Sequence, residues 1–155
     1  MNREDFEILK SNIIYFDNAA TSLKPRQVID KMNEYYNSYP SNVKRGDYDM
    51  SYKADTEYEN VRTLVKEFIK TKSEKEIIFT SGTTESLNLI VDGYFKDRLK
   101  ANEEVLITKS EHASLVLPWF KLIKTNGIKI NYIPLDENHE VTLENVKMVV
   151  TANTK

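Results

Sequence analysis

The segment richest in possible chemistry is Phe79-Thr80-Ser81-Gly82-Thr83-Thr84-Glu85-Ser86-Leu87-Asn88. Ile77 to Thr80 reads as a short strand and Gly82 as a turn. Leu87, Ile90, Val91, Tyr94 and Phe95 then read as one face of a helix. A helix that starts directly after such a turn gathers free backbone N–H groups and the positive end of its dipole at one point, which suits a phosphate. Thr83 and Thr84 add hydroxyl donors. The spacing is neither G-x-x-x-x-G-K-[ST] nor G-x-G-x-x-G, so a P-loop and a dinucleotide fingerprint are both excluded. The same residues also read as a plain helix N-cap with a Thr/Glu box.

Three further segments carry candidate residues. Ser110-Glu111-His112-Ala113-Ser114 follows an apolar strand, Val105 to Thr108, and so falls at the carboxyl edge of the sheet. Open α/β sheets bind ligands at that edge. His112 there could stack on a planar ligand or move protons, or could equally be a capping or surface histidine. Asp17-Asn18-Ala19-Ala20-Thr21 is a turn whose small residues admit a ligand or another backbone, or simply join a strand to a helix. Asn42-Val43-Lys44-Arg45-Gly46-Asp47 places Arg45 in a loop, where it reaches an anion or a partner subunit, or is merely solvated. His139 lies in a polar turn and is expected to be exposed.

The elements that must position these residues are legible from periodicity. Glu4 to Lys10 suggests a short helix in a polar arm, and Ile13 to Phe16 a short strand or extended segment. Val28, Ile29, Met32, Tyr35, Tyr36 and Tyr39 form one helical face, stopped by Pro40-Ser41-Asn42. Residues 42–54 have no period and read as a loop; an amphipathic helix is expected from about Asp55 to Lys70. Beyond residue 76 strands and helices alternate. A helix is expected at Leu115 to Lys124, capped by Gly127, then a strand at Ile128 to Ile133. A helical turn at Thr142 to Val146 and a further strand starting at Met148-Val149-Val150 complete the pattern. This alternation predicts an α/β fold with a mostly parallel sheet flanked by helices.

Composition narrows the function classes. The chain has 155 residues, 22 Lys plus Arg against 24 Asp plus Glu, and a net charge of −2. That balance gives no basic footprint for nucleic acid. Cysteine is absent and there are two histidines, so disulfides, thiolate metal sites and a dedicated metal centre are not expected. No apolar run approaches the roughly 20 residues that span a bilayer, and the first ten residues have no signal-peptide core. A cytoplasmic protein without membrane or nucleic-acid partners is the expectation.

The four segments, in this order, resemble the start of the cysteine desulfurases of the class V aminotransferase family, most of all their SUF-type branch. Tyr15-Phe16-Asp17-Asn18-Ala19-Ala20-Thr21 with Lys24-Pro25 is similar to the family's opening. Asn42, Arg45 and Gly46 resemble its asparagine–arginine–glycine loop. Ile77 to Thr80 with Gly82-Thr83-Thr84-Glu85 and Asn88-Leu89 resembles its cofactor-phosphate turn. Glu111-His112 with Pro118-Trp119 resembles the segment that places its ring-stacking histidine. The likeness runs from about Tyr15 to the end of the chain. Lys44 and Tyr48 stand where the family often has histidine, Ala113 where it often has a second histidine, and Leu115 where it often has asparagine.

The resemblance implies the N-terminal part of a pyridoxal 5′-phosphate-dependent transferase fold. Residues 1–54 would be an arm and small-domain segment, and residues 55–155 the first part of the large cofactor-binding domain. Gly82, Thr83 and Thr84 would hold the cofactor phosphate. His112 would lie over the pyridine ring and assist proton transfer. Ala19 and Ala20 would line the substrate side, and Arg45 would reach an active-site mouth shared across a homodimer. L-cysteine would be the substrate, with alanine and an enzyme persulfide as products. A sulfur-acceptor protein would take that sulfur for iron–sulfur cluster assembly.

In the family, four groups lie beyond these segments: the aspartate that pairs the pyridine nitrogen, the Schiff-base lysine, the persulfide cysteine and the arginine that binds the substrate carboxylate. The expectation is therefore an N-terminal portion, incomplete at its C-terminus and inactive alone. A selenocysteine lyase, an aminotransferase, a kynureninase-like enzyme or a non-catalytic truncated remnant that binds a partner are the alternatives.

Overall fold

Pro25 has no N–H to leave unsatisfied at a helix start, and α1 (Arg26–Ser38) begins directly after it. The computed structural model describes residues 2–155 and divides them between two units, Met1–Ile78 and Phe79–Lys155.

In the first unit, the expected arm helix is two short 3₁₀ turns, Arg3–Asp5 and Glu7–Ser11. Gln27 and Arg26 of α1 tie them down through Asp5 and Glu7, at 2.9 and 2.5 Å. Of the two readings of Ile13 to Phe16, the strand does not form. The Arg3 guanidinium takes the Ile13 carbonyl at 3.0 Å, and Phe16 is 93% exposed. Tyr39 is buried with its ring edge-on to Tyr35, while the Tyr35 hydroxyl donates to the Ser41 carbonyl at 2.9 Å.

The second helix, α2 (Asp49–Ile69), starts six residues earlier than the periodicity predicts. Its first turns bury Ser51 and Ala54, small residues that carry no apolar period. The reason for small residues lies in the loop before it. A Cβ on Gly46 would stand 2.9 Å from the Ser51 side chain, and the Ser51 hydroxyl donates to the Gly46 carbonyl at 3.1 Å. Residues 54 and 55 lie within this one continuous helix, and the two units meet along the chain between Ile78 and Phe79.

The second unit is built on a parallel pair, β1 (Glu104–Thr108) and β2 (Lys129–Ile133), with Val105 opposite Ile130 and Ile107 opposite Tyr132. Their crossover is α4 (Ala113–Asn126), ended by Gly127 at φ 72°, whose N–H returns to the Ile123 carbonyl at 3.1 Å. Before β1 runs α3 (Thr83–Ile90), which continues as a π-helical turn, Val91–Phe95. Val105 and Ile107 alternate inward and meet Val91, Leu99, Leu122 and Ile128 in one core.

Two expected strands are absent. Ile77 to Thr80 pairs with no strand among the described residues, and a strand exists only through a ladder partner. Met148 and Val149 belong to a helix, α5 (Leu143–Val149). Thr142 caps it by accepting from the Asn145 N–H at 3.2 Å. The extension of the sheet comes after this helix. Glu104 N–H donates to the Asn153 carbonyl at 2.9 Å and Lys155 N–H to the Glu104 carbonyl at 3.1 Å, a parallel bridge centred on Thr154. The fold is α/β with a parallel sheet and helices, as the alternation predicts.

Candidate active site

Gly82 is the hinge of the site. It stands at φ 157° and ψ 179°, a conformation nearly confined to glycine, and it is the N-cap of α3. It has no side chain to cap the first N–H groups of the helix, and no side-chain cap is made. A Cβ placed there would meet nothing within 4 Å, so the space in front of the turn is open. Thr83 and Thr84 form the first turn and are exposed.

The turn is braced from behind. The Thr80 hydroxyl donates to the Gly82 carbonyl at 3.2 Å and meets the Ser86 hydroxyl at 2.7 Å. The Glu85 carboxylate accepts from the Ser81 hydroxyl and from the Ser81 N–H, both at 2.6 Å. These bonds hold the Glu85 carboxyl below its ordinary value near 4.5, the hydroxyl bond first and the amide bond second. A depressed carboxyl stabilises the turn above its unfolded pKa, and that contribution disappears as pH falls through the lowered folded value. The Ser81 amide resonance is therefore expected to hold its position through the normal glutamate range and to move only below it. A midpoint at the ordinary value would show that the brace does not form in solution.

His112 lies at the carboxyl end of β1 and is the N-cap of α4. Its Nδ1 accepts from the Ser114 N–H at 3.1 Å, the bond of an N-cap side chain. The Ser114 hydroxyl lies 2.9 Å from the same Nδ1 and 2.9 Å from the Thr84 hydroxyl. Glu111, one residue before, accepts from the Thr108 hydroxyl at 2.9 Å. The connection from strand to helix is thus tied at both ends.

The structure brings Thr84 and His112 into one hydrogen-bonded group through Ser114, with Gly82 and Thr83 in the same turn. His112 is a capping histidine, one of the readings left open by the sequence, and through Ser114 it also stands beside the start of α3. Ser114 is the member that motif reasoning passed over. Its signal was local: an N-cap side chain takes the N–H of the second or third helical residue, and Ser114 is the second.

Of the other candidates, Ala19, Ala20 and Arg45 belong to the first unit and His139 to the second. Ala19 and Ala20 are exposed in a turn closed by Ala20 N–H and Thr21 N–H on the Asp17 carbonyl, at 3.1 and 3.0 Å. Tyr15 fastens that turn through its hydroxyl to the Thr21 carbonyl at 2.5 Å. Arg45 is exposed in the loop before α2, and its N–H donates to the Asn42 carbonyl at 3.3 Å. His139 is exposed, in a turn at φ 63°.

The sequence model of the aminotransferase class-V family matches residues 14–155. The chain belongs to the class-V aminotransferase family. Several relatives carry the name probable cysteine desulfurase. A probable cysteine desulfurase of Halalkalibacterium halodurans is 38% identical, over 97% of this chain and 37% of that protein. The apo structure of a cysteine desulfurase from Thermococcus onnurineus NA1 superposes with a TM-score of 0.86 at 39% identity, over 94% of this chain and 36% of that one. A variant of C-DES with glycine covalently linked to its pyridoxal phosphate cofactor superposes with a TM-score of 0.84 over 100% of this chain and 39% of that one. At 16% identity that likeness concerns the fold alone. This class-V chain spans about 37% of the length of such a curated relative.

Class-V aminotransferases work with pyridoxal phosphate. The residues present fit its phosphate. The α3 start is uncapped by any side chain, it opens on free space, and its one carboxylate is committed to Ser81. Among the described residues, no helix is long and apolar enough to cross a membrane.

Proposed function

We propose that this chain forms the phosphate-holding and ring-holding part of a pyridoxal 5′-phosphate-dependent cysteine desulfurase. The observation that carries the reading is the Thr84–Ser114–His112 contact, which sets an anion-ready helix start beside a flat imidazole. When bound, the cofactor supplies an electron sink for bond breaking in an amino acid. Gly82, Thr83 and Thr84 would hold its phosphate by backbone N–H groups, two hydroxyls and the helix dipole. His112 would lie against its ring and carry a proton. Ala19 and Ala20 would leave room for the substrate. Arg45 would reach the mouth of the site, shared between the subunits of a homodimer.

In the whole protein the C–S bond of L-cysteine would break. The sulfur would leave as a persulfide on an enzyme thiol and the carbon skeleton as L-alanine. This chain has no cysteine, so that thiol lies outside these 155 residues. The reading extends to transfer of the sulfur to an acceptor protein for iron–sulfur assembly, in the cytoplasm, by a SUF-type enzyme.

The test is a titration of the chain with pyridoxal phosphate, followed by its absorbance. Thr83→Val and Thr84→Val keep the side-chain shape and remove the hydroxyls. Each is expected to weaken binding about 10- to 100-fold, since a hydrogen bond to a charged group contributes about 1.5–3 kcal/mol. Affinity equal to that of the unaltered chain in both variants would place the phosphate elsewhere.

A further inference from the structure

Nδ1 of His112 accepts the Ser114 N–H, so this nitrogen bears no proton and the neutral ring carries its proton on Nε2. The Ser114 hydroxyl, 2.9 Å from the same Nδ1, can bond it only as a donor, sharing that nitrogen's lone pair with the N–H. A hydroxyl has one proton, so the Ser114 oxygen can only accept from Thr84, 2.9 Å away on its other side. The direction of the whole chain follows: Thr84 O–H to Ser114, Ser114 O–H to His112. Thr84 has spent its only proton on Ser114. An anion at the start of α3 that takes the Thr84 hydroxyl as a donor withdraws that proton. Ser114 can then satisfy the contact with Thr84 only by turning its own hydroxyl toward it and away from Nδ1.

We propose that Ser114 is a positioning residue whose single hydroxyl proton is held by His112 Nδ1 or by Thr84 Oγ1, so that an anion on Thr84 changes how His112 is held. The inference rests on the phosphate-turn reading above. It adds a route by which the phosphate end of the site and its imidazole respond to each other. The backbone N–H of Ser114 keeps Nδ1 an acceptor in both arrangements, so the imidazole loses one of its two bonds and keeps its tautomer.

The chain has two histidines, which makes ¹⁵N-histidine NMR a direct readout, with His139 as the internal control of folding. His112 is expected to show an unprotonated Nδ1 and a protonated Nε2. Ser114→Ala should move the Nδ1 resonance downfield in the free chain, whereas Thr84→Val, which leaves the Ser114 proton on Nδ1, should leave it in place. Ser114→Thr should restore the unaltered position. A protonated Nδ1, or an Nδ1 resonance unmoved by Ser114→Ala, overturns the proposal.

Inorganic phosphate is the second probe. Binding is read at the Thr83 and Thr84 amides, and it should shift Nδ1 downfield only when Ser114 is present. Amide shifts with no response at Nδ1 overturn the coupling. If those amides do not respond to phosphate, the phosphate-turn reading fails, while the Ser114→Ala shift at Nδ1 still decides whether Ser114 holds the imidazole.

Discussion

His112→Asn in the holoenzyme is expected to lower turnover of L-cysteine by about 10²- to 10⁴-fold, the usual worth of a positioned proton-transfer group. Alanine release measures it. The choice of asparagine matters. His112 has a structural duty as N-cap of α4, accepting from the Ser114 N–H at 3.1 Å. His112→Ala would lose cap and imidazole together, and a missing cap alone costs about 0.5–2 kcal/mol. Asparagine is among the best N-cap residues, so it keeps the helix start while removing the ring. Cofactor affinity should fall much less than turnover, because the proposed phosphate contacts come from α3. Normal turnover in His112→Asn, with the thermal midpoint of the protein unchanged, would reduce His112 to a cap and remove it from the chemistry.

Leu122→Ala is expected to destabilise the second unit by about 2–5 kcal/mol, the range for removing a buried leucine side chain. Leu122 is 0% exposed and belongs to the core with Val91, Leu99, Val105, Ile107 and Ile128. That core joins the π-helical turn after α3 to β1, α4 and β2, so it holds both helices whose N-termini make the site. Trp119 packs against the same core, its ring 5.1 Å from that of Phe95, and it is the one tryptophan of the chain. Its fluorescence therefore reports this unit in a urea titration. The midpoint should fall with the slope unchanged, whereas Leu122→Met, which conserves volume, should cost less than about 1.5 kcal/mol. A Leu122→Ala midpoint equal to that of the unaltered chain would mean the cluster does not pack in solution as described.

Both predictions depend on elements with unequal visibility in the sequence. β1, β2 and α4 could be read directly, because Val105 to Thr108 is a short apolar run, Ile128 to Tyr132 alternates apolar and polar residues, and Gly127 marks a helix end. The start of α2 could not. Ser51 and Ala54 are buried there, Ser51 against the backbone of Gly46, and two small residues do not mark a hydrophobic period. Met148 to Val150 looks like a strand from residue type alone. Thr142 starts a helix before it, and the sheet is extended by Asn153 to Lys155, which have no strand-like composition.

The order of the four motif segments, the glycine at residue 82 and the hydroxyls at 83 and 84 belong to the sequence by itself. They were enough to indicate the family and the kind of anion site, because a turn followed by a helix start is local chemistry. The link between Thr84 and His112 belongs to the tertiary structure. Thr84 and Ser114 are 30 residues apart, and they meet because α3 and α4 both bring their N-termini to one place. Local periodicity holds no information on such a meeting. It is decided by how the apolar faces around Leu122 pack, and that packing sets two hydroxyls and one imidazole nitrogen within hydrogen-bond reach.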